Sequence, residues 1–376
     1  MRILFTGGGT GGHIFPIVAI IRKIKEICPK KGIEFFYVGP DDEFGEKIFP
    51  KEGVKTKTVL TGKFRRYFNL RSFFENLFDL VKIPLGTVQA FLFLISIKPR
   101  VIFSKGGFGS LPVVFAGWSL GIPIFLHESD AVPGLSNKIL SRFALKVFVS
   151  FPETEYFNPS KTILAGNPVR EGLLLNLEKK EIARKHFGLI GDKPIILVLG
   201  GSQGSQRINE KILEALPEIL KSFGVIHQCG RENFEEIKKK IDWGKEEIKS
   251  NYRLFAFLEE KELSCAYSAC DLVISRAGSG TIFEIAAFSK PSILIPLPES
   301  AQNHQLKNAL SFAKNGATLV LEEKRFQLRS FLDMLTLLFS QPERLKRMSE
   351  ASSRFSKPDA ARTIARYILN FLDLTR

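Results

Sequence analysis

Cysteine is scarce in this chain of 376 residues. The four present, Cys28, Cys229, Cys265 and Cys270, form no C-x-x-C pair, which argues against a zinc site or a disulfide framework and suits a reducing compartment. Acidic side chains are also few, 39 Asp and Glu against 54 Lys and Arg. The resulting charge of +15 asks for an anionic partner: nucleic acid, a phosphorylated substrate or anionic lipid. Long apolar runs are missing too. The longest uncharged stretch, Ile83 to Ile97, has 15 residues and contains Pro84 and Gly86, short of the roughly 20 apolar residues of a spanning helix. The N-terminus does not read as a secretory signal, because a single Arg is followed by a short strand and glycines. A cytoplasmic protein is expected, without low-complexity tracts or short repeats.

What the chain does have is two domains' worth of ordinary globular sequence, with 44% hydrophobic and 25% charged residues. It opens on Ile3-Leu-Phe5, a short buried strand, then Gly7 to Gly9 and Gly11-Gly12, then a segment with Ile17, Ile20, Ile21 and Ile24 on one helical face. In a strand, glycine loop and helix, bare backbone N–H groups and a helix N-terminus face an anion. Gly7-x-Gly9-x-x-Gly12 also fits the dinucleotide fingerprint. The acidic residue expected about 20 positions later is missing, since the second strand, Phe35–Val38, runs into Gly39-Pro40 and Asp41 comes late. A phosphate loop is expected; a nicotinamide cofactor is not.

Apolar strands at Val101–Ser104, Pro123–Leu126 and Val147–Ser150 continue the pattern, as in a parallel sheet covered on both faces. Pro159 to Arg170 is a candidate interdomain linker. The pattern restarts at Ile195–Leu199, Gly200-Gly-Ser-Gln-Gly204 and a helix with Ile208, Ile212, Leu216 and Ile219. Two such βα series predict an α/β protein of two Rossmann-like parallel-sheet domains facing a cleft. Expected are an N-terminal domain over 1–164, a C-terminal one over 165–355, and a C-terminal helix over 356–376 packing back across them.

Lys63 to Arg100 stands apart: basic residues interleave with phenylalanines against only Glu75 and Asp79. Phe64, Arg65, Arg66, Phe68, Arg71, Phe73 and Phe74 make a candidate patch for an anionic membrane surface. An ordinary helical pair with phenylalanines in its core would read the same way.

Two stretches of the second half carry chemistry. In Asp271 to Glu284 a buried strand ends at Ser275, small residues turn the chain, and a helix begins near Ser279. Such a helix start holds a diphosphate, and Glu284 can chelate a vicinal diol such as ribose; it is equally at home as a helix charge favoured by the dipole. Pro296 to Asn308 is dense in amides (Gln302, Asn303, Gln305, Asn308), groups that read sugar hydroxyls as donor and acceptor together; Asn303 would also serve as a helix cap.

In order along the chain stand GGGTGGH (7–13), SKGGFGSLP (104–112), HESDAVPGLSN (127–137), AGNPVR (165–170), GGSQGSQRIN (200–209), SRAGSGTIFEIA (275–286) and NHQLKNA (303–309). This series resembles the MurG family, the lipid-linked N-acetylglucosaminyltransferases of bacterial peptidoglycan synthesis. The resemblance implies a GT-B fold and an inverting hexosyltransferase. It would move N-acetylglucosamine from UDP-N-acetylglucosamine to the 4-hydroxyl of lipid I, the undecaprenyl-diphosphate-linked muramyl pentapeptide, giving lipid II and UDP. The enzyme would sit peripherally on the cytoplasmic face of the inner membrane, with no cofactor, no protein-bound metal and no nucleic acid as partner.

Carried over residue by residue, Glu284 would hold the ribose; Ser279, Gly280 and Thr281 would face the donor diphosphate, assisted by Ser202 and Arg170. The backbone at Leu258 would read uracil, and Gln305, beside His304, the sugar. Thr10, Gly11, Gly12 and His13 would line the cleft from the opposite side, where Gly7–His13 would face the acceptor's diphosphate. His13 is the first candidate for the base, with neutralisation of a diphosphate as its alternative role; His127 and Glu128 rank second. The chain departs from the family at His127-Glu128-Ser129-Asp130, where His-Glu-Gln-Asn is usual. A carboxylate at Asp130 loses the amide's donor but gains a possible base, which puts its contact with the donor sugar in question. Asp41-Asp42-Glu43 reads as a surface loop. The rival readings are another GT-B nucleotide-sugar enzyme (a glycolipid glycosyltransferase or a UDP-N-acetylglucosamine 2-epimerase) and, from a different class, a basic nucleic-acid-binding protein.

Overall fold

The computed structural model describes every residue except Thr10, Lys30, 63–69, Asn176, Ile190, Ser202, Gln203, Thr375 and Arg376; at 43, 44, 70–78 and 80 it describes the backbone alone. The chain forms two compact units, one of Met1–Val169 with Pro358–Arg376, the other of Arg170–Lys357.

The first unit is built on a 7-stranded parallel sheet of order β3-β2-β1-β4-β5-β6-β7. Its strands are β1 (Arg2–Thr6), β2 (Glu34–Gly39), β3 (Val54–Thr58), β4 (Val101–Ser104), β5 (Ile124–Glu128), β6 (Lys146–Val149) and β7 (Thr162–Leu164). Alternation along β1 shows why the sheet is buried on both faces. Ile3 and Phe5 join the cluster with Ile17, Ile20 and Ile24 of helix α1 (Gly11–Ile27). Leu4 points the other way, among Ala90 and Leu94 of α2 (Leu70–Ile97) and Val113 and Val114 of α3 (Leu111–Ser119). A further helix, α4 (Leu135–Leu140), follows β5.

The second unit has a 6-stranded sheet of order β10-β9-β8-β11-β12-β13. Its strands are β8 (Ile195–Leu199), β9 (Gly224–Gln228), β10 (Tyr252–Phe255), β11 (Leu272–Ser275), β12 (Ser292–Leu294) and β13 (Thr318–Val320). The helices that matter below are α5 (Gln206–Ser222), α6 (Ser279–Ala287) and α7 (His304–Lys314).

Three details depart from the sequence expectation. The supposed linker contains β7, whose residues pair with β6 from Val147↔Thr162 to Val149↔Leu164, so the division between units falls after Val169. Lys63–Arg100 yields one long described helix, α2, rather than a pair; it runs through Pro84, and Thr87 Oγ1 bonds the Ile83 carbonyl at 2.8 Å. The C-terminal helix α8 (Ala360–Phe371) belongs to the first unit. Its Ile364, Ala365, Ile368 and Leu369 are buried in the cluster shared with α1, and Phe371 meets Phe125 edge-on at 5.4 Å. Four apolar residues on one face, each large one stabilising by about 1.5–3 kcal/mol on burial, explain that choice.

Candidate functional sites

In the first unit the strand order reverses between β1 and β4, and ligands of open α/β sheets bind off the carboxyl ends of strands at such a switch point. Both loops there are glycine-built. After β4 come Lys105, then Gly106 and Gly107, each at φ 82, a conformation side chains rarely adopt. A Cβ on Gly106 would lie 1.9 Å from Asn137 Oδ1, and one on Gly107 would lie 3.2 Å from His13 Nε2. After β1, a Cβ on Gly8 would come within 3.0 Å of His13 Nδ1. The His13 imidazole is thus seated between the two loops. Burial, with the Lys105 charge adding to it, lowers its pKa to about 4, so the ring is neutral at pH 7. That favours a proton acceptor over a standing cation. Gly11 is buried and Gly12 exposed beside it; Thr10 lies outside the described residues.

β5 delivers His127 and Glu128 to the same sheet edge, and both are fully buried. His127 Nε2 bonds the Gly166 carbonyl at 3.0 Å, and burial holds its pKa well below 6.5. It is a structural neutral donor. Glu128 is held at both oxygens: Asp130 N–H donates to Oε1 at 2.9 Å and Asn137 Nδ2 to Oε2 at 2.8 Å. Burial, then Asp130, pushes its pKa up to about 7. These two bonds tie the start of the β5–α4 loop, which carries Asp130, to α4. Asp42 caps a short helix, its Oδ1 accepting from Gly45 N at 2.6 Å.

In the second unit the order reverses between β8 and β11, and again both loops are rich in small residues. The first runs from Gly200 to Ser205; Gly204, at φ 78, has no room for a Cβ, which would sit 2.5 Å from Cys229 O. The second, Arg276-Ala277-Gly278, opens α6. Arg276 ties the two together: its Nε and Nη2 donate to Ser205 Oγ at 3.1 and 2.8 Å, and Nη1 pairs with Glu323 at 2.6 Å. The N-cap Gly278 offers no side chain, and Cβ atoms on Gly278 and Gly280 would meet nothing within 4 Å. The first turn of α6, with Ser279, Gly280 and Thr281, thus has no side-chain cap and no crowding at Gly278 or Gly280, the kind of helix start that can take an anion on its N–H groups.

Glu284 stands on α6 beyond that turn, and Arg170 donates to its Oε1 from Nη2 at 3.0 Å and Nε at 3.3 Å. Tyr267 Oη donates to Oε2 at 3.3 Å. A carboxylate has about four lone-pair sites, so acceptor capacity for a diol remains. Leu258 N–H is already bonded to Gln228 Oε1 at 2.9 Å, which turns that donor away from a base edge. Gln305 Oε1 accepts from Leu297 N at 2.9 Å, fixing the amide at the start of α7. Just before it, Gln302 (φ 56) and Asn303 (φ 55) are consecutive non-glycine residues in the left-handed region, a strain of order 1–3 kcal/mol each that clusters at ligand sites. Ser202 lies outside the described residues. Sequence reading passed over Lys105, Asn137, Tyr267 and Arg276 as site residues. Lys105 and Arg276 stand inside quoted motifs, but nothing in one sequence marks Tyr267 as Glu284's partner.

Paired parallel sheets, each with small-residue loops at its switch point and one with an open helix start above a fixed carboxylate, define a class: the two-domain glycosyltransferases of GT-B architecture. The glycosyltransferase family 28 N-terminal domain matches residues 3–149 and the family 28 C-terminal domain residues 195–364. The UDP-N-acetylglucosamine--N-acetylmuramyl-(pentapeptide) pyrophosphoryl-undecaprenol N-acetylglucosamine transferase of Clostridium tetani is 40% identical over 354 residues, 93% of this chain and 94% of its own. Among solved structures, Acinetobacter baumannii MurG superposes with a TM-score of 0.75 at 25% identity, over 98% of this chain and 99% of its own. A UDP-GlcNAc 2-epimerase from Neisseria meningitidis, bound to UDP-GlcNAc, shares the fold at TM-score 0.67 but only 16% identity, covering 98% of this chain and 100% of its own. The chain belongs to the MurG family of glycosyltransferases.

Proposed function

We propose that the protein transfers N-acetylglucosamine from UDP-N-acetylglucosamine to the 4-hydroxyl of the muramyl unit of lipid I, with inversion, releasing UDP and lipid II. The 40% identity to a named transferase across 93% of the chain carries this reading, and the two loop systems give it a mechanism. The second unit holds the donor: Glu284, steadied by Arg170 and Tyr267, takes the ribose hydroxyls, and the N–H groups of Ser279, Gly280 and Thr281 take the diphosphate. As the C1–O bond to UDP breaks, negative charge grows on that diphosphate, where the α6 N-terminus stabilises it. Gln305 orients the sugar. The first unit holds the acceptor at Gly7–His13. The acceptor 4-hydroxyl oxygen attacks C1, and its proton passes to the neutral His13 imidazole. A bound acceptor diphosphate raises the basicity of that ring, because a nearby anion favours the imidazolium.

Docking on anionic lipid at the cytoplasmic face completes the proposal. The basic aromatic patch from Phe64 to Phe74 lies outside the side chains described. Support comes from the part of α2 that follows it. Ala90, Leu94 and Ile97 are buried in the core, while Val81, Leu85, Val88, Leu92 and Ile95 form a stripe that is 46–61% exposed. A helix apolar on both faces wants an apolar medium on its outer one. Among the described residues no helix is long and apolar enough to span a bilayer; the reading offered for that stripe is docking on the membrane surface.

Radiolabelled UDP-N-acetylglucosamine with a short-chain lipid I analogue separates the enzyme readings. Label entering an organic-extractable product, matched by UDP release, is expected. UDP-N-acetylmannosamine, or free N-acetylmannosamine with UDP released by hydrolysis, and no lipid product would instead assign the chain to epimerase chemistry.

A further inference from the structure

Lys105 is the least expected buried group in the first unit. Its side chain is 1% exposed, and Nζ makes no hydrogen bond among the described residues. The backbone gives it no exit: its N–H is bonded to Thr6 O at 2.8 Å, Gly106 and Gly107 lock the chain after it, and its Cβ stands 3.3 Å from where Gly7 would place one. A buried ammonium without hydrogen bonds is strongly unfavourable unless charges of opposite sign lie near. Burial lowers its pKa to about 8, and the carboxylates of Glu128 and Asp130 act against that fall. Its charge in turn bears on His13 and His127. The geometry places the same groups beside it: the next residue, Gly106, packs against Asn137, which bonds Glu128, whose other oxygen takes the Asp130 N–H, while Gly107 packs against the His13 ring on α1. Glu128 accepts one hydrogen bond on each oxygen, from the Asp130 N–H and from Asn137. Asp130 is partly exposed in the loop, whereas Glu128 is buried.

We propose that Lys105 is a positioning residue, the buried countercharge that lets this chain carry a carboxylate at position 130 of the transfer site. Its ammonium has no accessible surface, so it acts through Glu128 and Asp130 and touches no substrate. The role in turnover rests on the function proposed above; the charge coupling itself does not.

The test is a cycle of wild type, Lys105→Met, Asp130→Asn and the double variant. Two readouts are taken: kcat/KM for the lipid acceptor from pH 6 to 9, and urea unfolding midpoints at pH 6 and 8. Lys105→Met is expected to lower kcat/KM about 30-fold and move the acidic limb of the profile upward by about one pH unit, with donor KM within about twofold of wild type. The double variant is expected within about threefold of Asp130→Asn alone, since one change removes the reason for the other. Losses that multiply, or an unmoved pH profile in Lys105→Met, would overturn the proposal. If Lys105→Met does not fold, recovery of folding in the double variant supports it, and a double variant that stays unfolded while Asp130→Asn folds refutes it. Should wild type show no transfer at all, the proposed function fails, and non-additive unfolding midpoints still decide the coupling.

Discussion

The two units share one grammar, a parallel sheet with small-residue loops at its switch point, and fill it with opposite chemistry. Around the first switch point stand groups displaced from their ordinary ionisation: His13 lowered to about 4, Lys105 to about 8, and Glu128 raised to about 7, in each case chiefly by burial. Around the second, the charges are pinned in pairs, Arg170 with Glu284 and Arg276 with Glu323. Displaced groups suit proton transfer, whereas paired ones hold a shape. Under the function proposed above, the same loop geometry would serve proton transfer at His13 in one unit and donor retention in the other, with side chains rather than the fold deciding which.

The sharpest way to break that contrast is His13→Ala. Turnover should fall by about 10²–10⁴, the range for losing a general base, with donor KM little changed; near-normal kcat in a steady-state assay would move proton chemistry away from the first unit. Glu284→Ala should act the other way, raising donor KM about tenfold or more, since a hydrogen bond to a charged group is worth about 1.5–3 kcal/mol. Unchanged donor kinetics would remove Glu284 from the ligand.

Stability should follow pH through the buried imidazoles. His13, His127 and His227 bind protons near 6.5 when unfolded but far lower when folded, His227 at about 3. As pH falls below 6.5 the unfolded chain takes up protons that the folded one refuses, so stability drops. Glu128 opposes this, because its folded pKa near 7 makes the folded state bind the extra proton between 4.5 and 7. Three groups against one leave a net loss of about 1–2 kcal/mol per pH unit, visible as a lower urea midpoint at pH 5.5 than at pH 7; a flat profile would mean these rings are wet. The smallest effect expected is at the α2 stripe, where Leu92→Glu should weaken binding to anionic vesicles by about 1 kcal/mol without changing turnover on a water-soluble acceptor. Equal vesicle binding by wild type and variant would leave the stripe without that role.

Much of this architecture was legible in the sequence, and the failures have physical causes. Strands such as Ile195–Leu199 are unbroken apolar runs followed by glycines, which admit few other readings. β3 was missed because Lys55 to Thr58 are all exposed and only Val54 is buried, so neither alternation nor an apolar run announces it. β7 hid among prolines as an edge strand of three residues. The glycine loops and Glu284 were readable as motif residues. Lys105 was passed over because lysine is almost never fully buried, and Tyr267 because its link to Glu284 exists only after α6 has folded.

Equilibrium binding of UDP to the intact chain, measured by calorimetry on wild type, His13→Ala and Glu284→Ala, tests the division between the units most directly. The account predicts an unchanged dissociation constant for His13→Ala and one weakened at least about tenfold for Glu284→Ala. Equal weakening in both variants, or in His13→Ala alone, would contradict it.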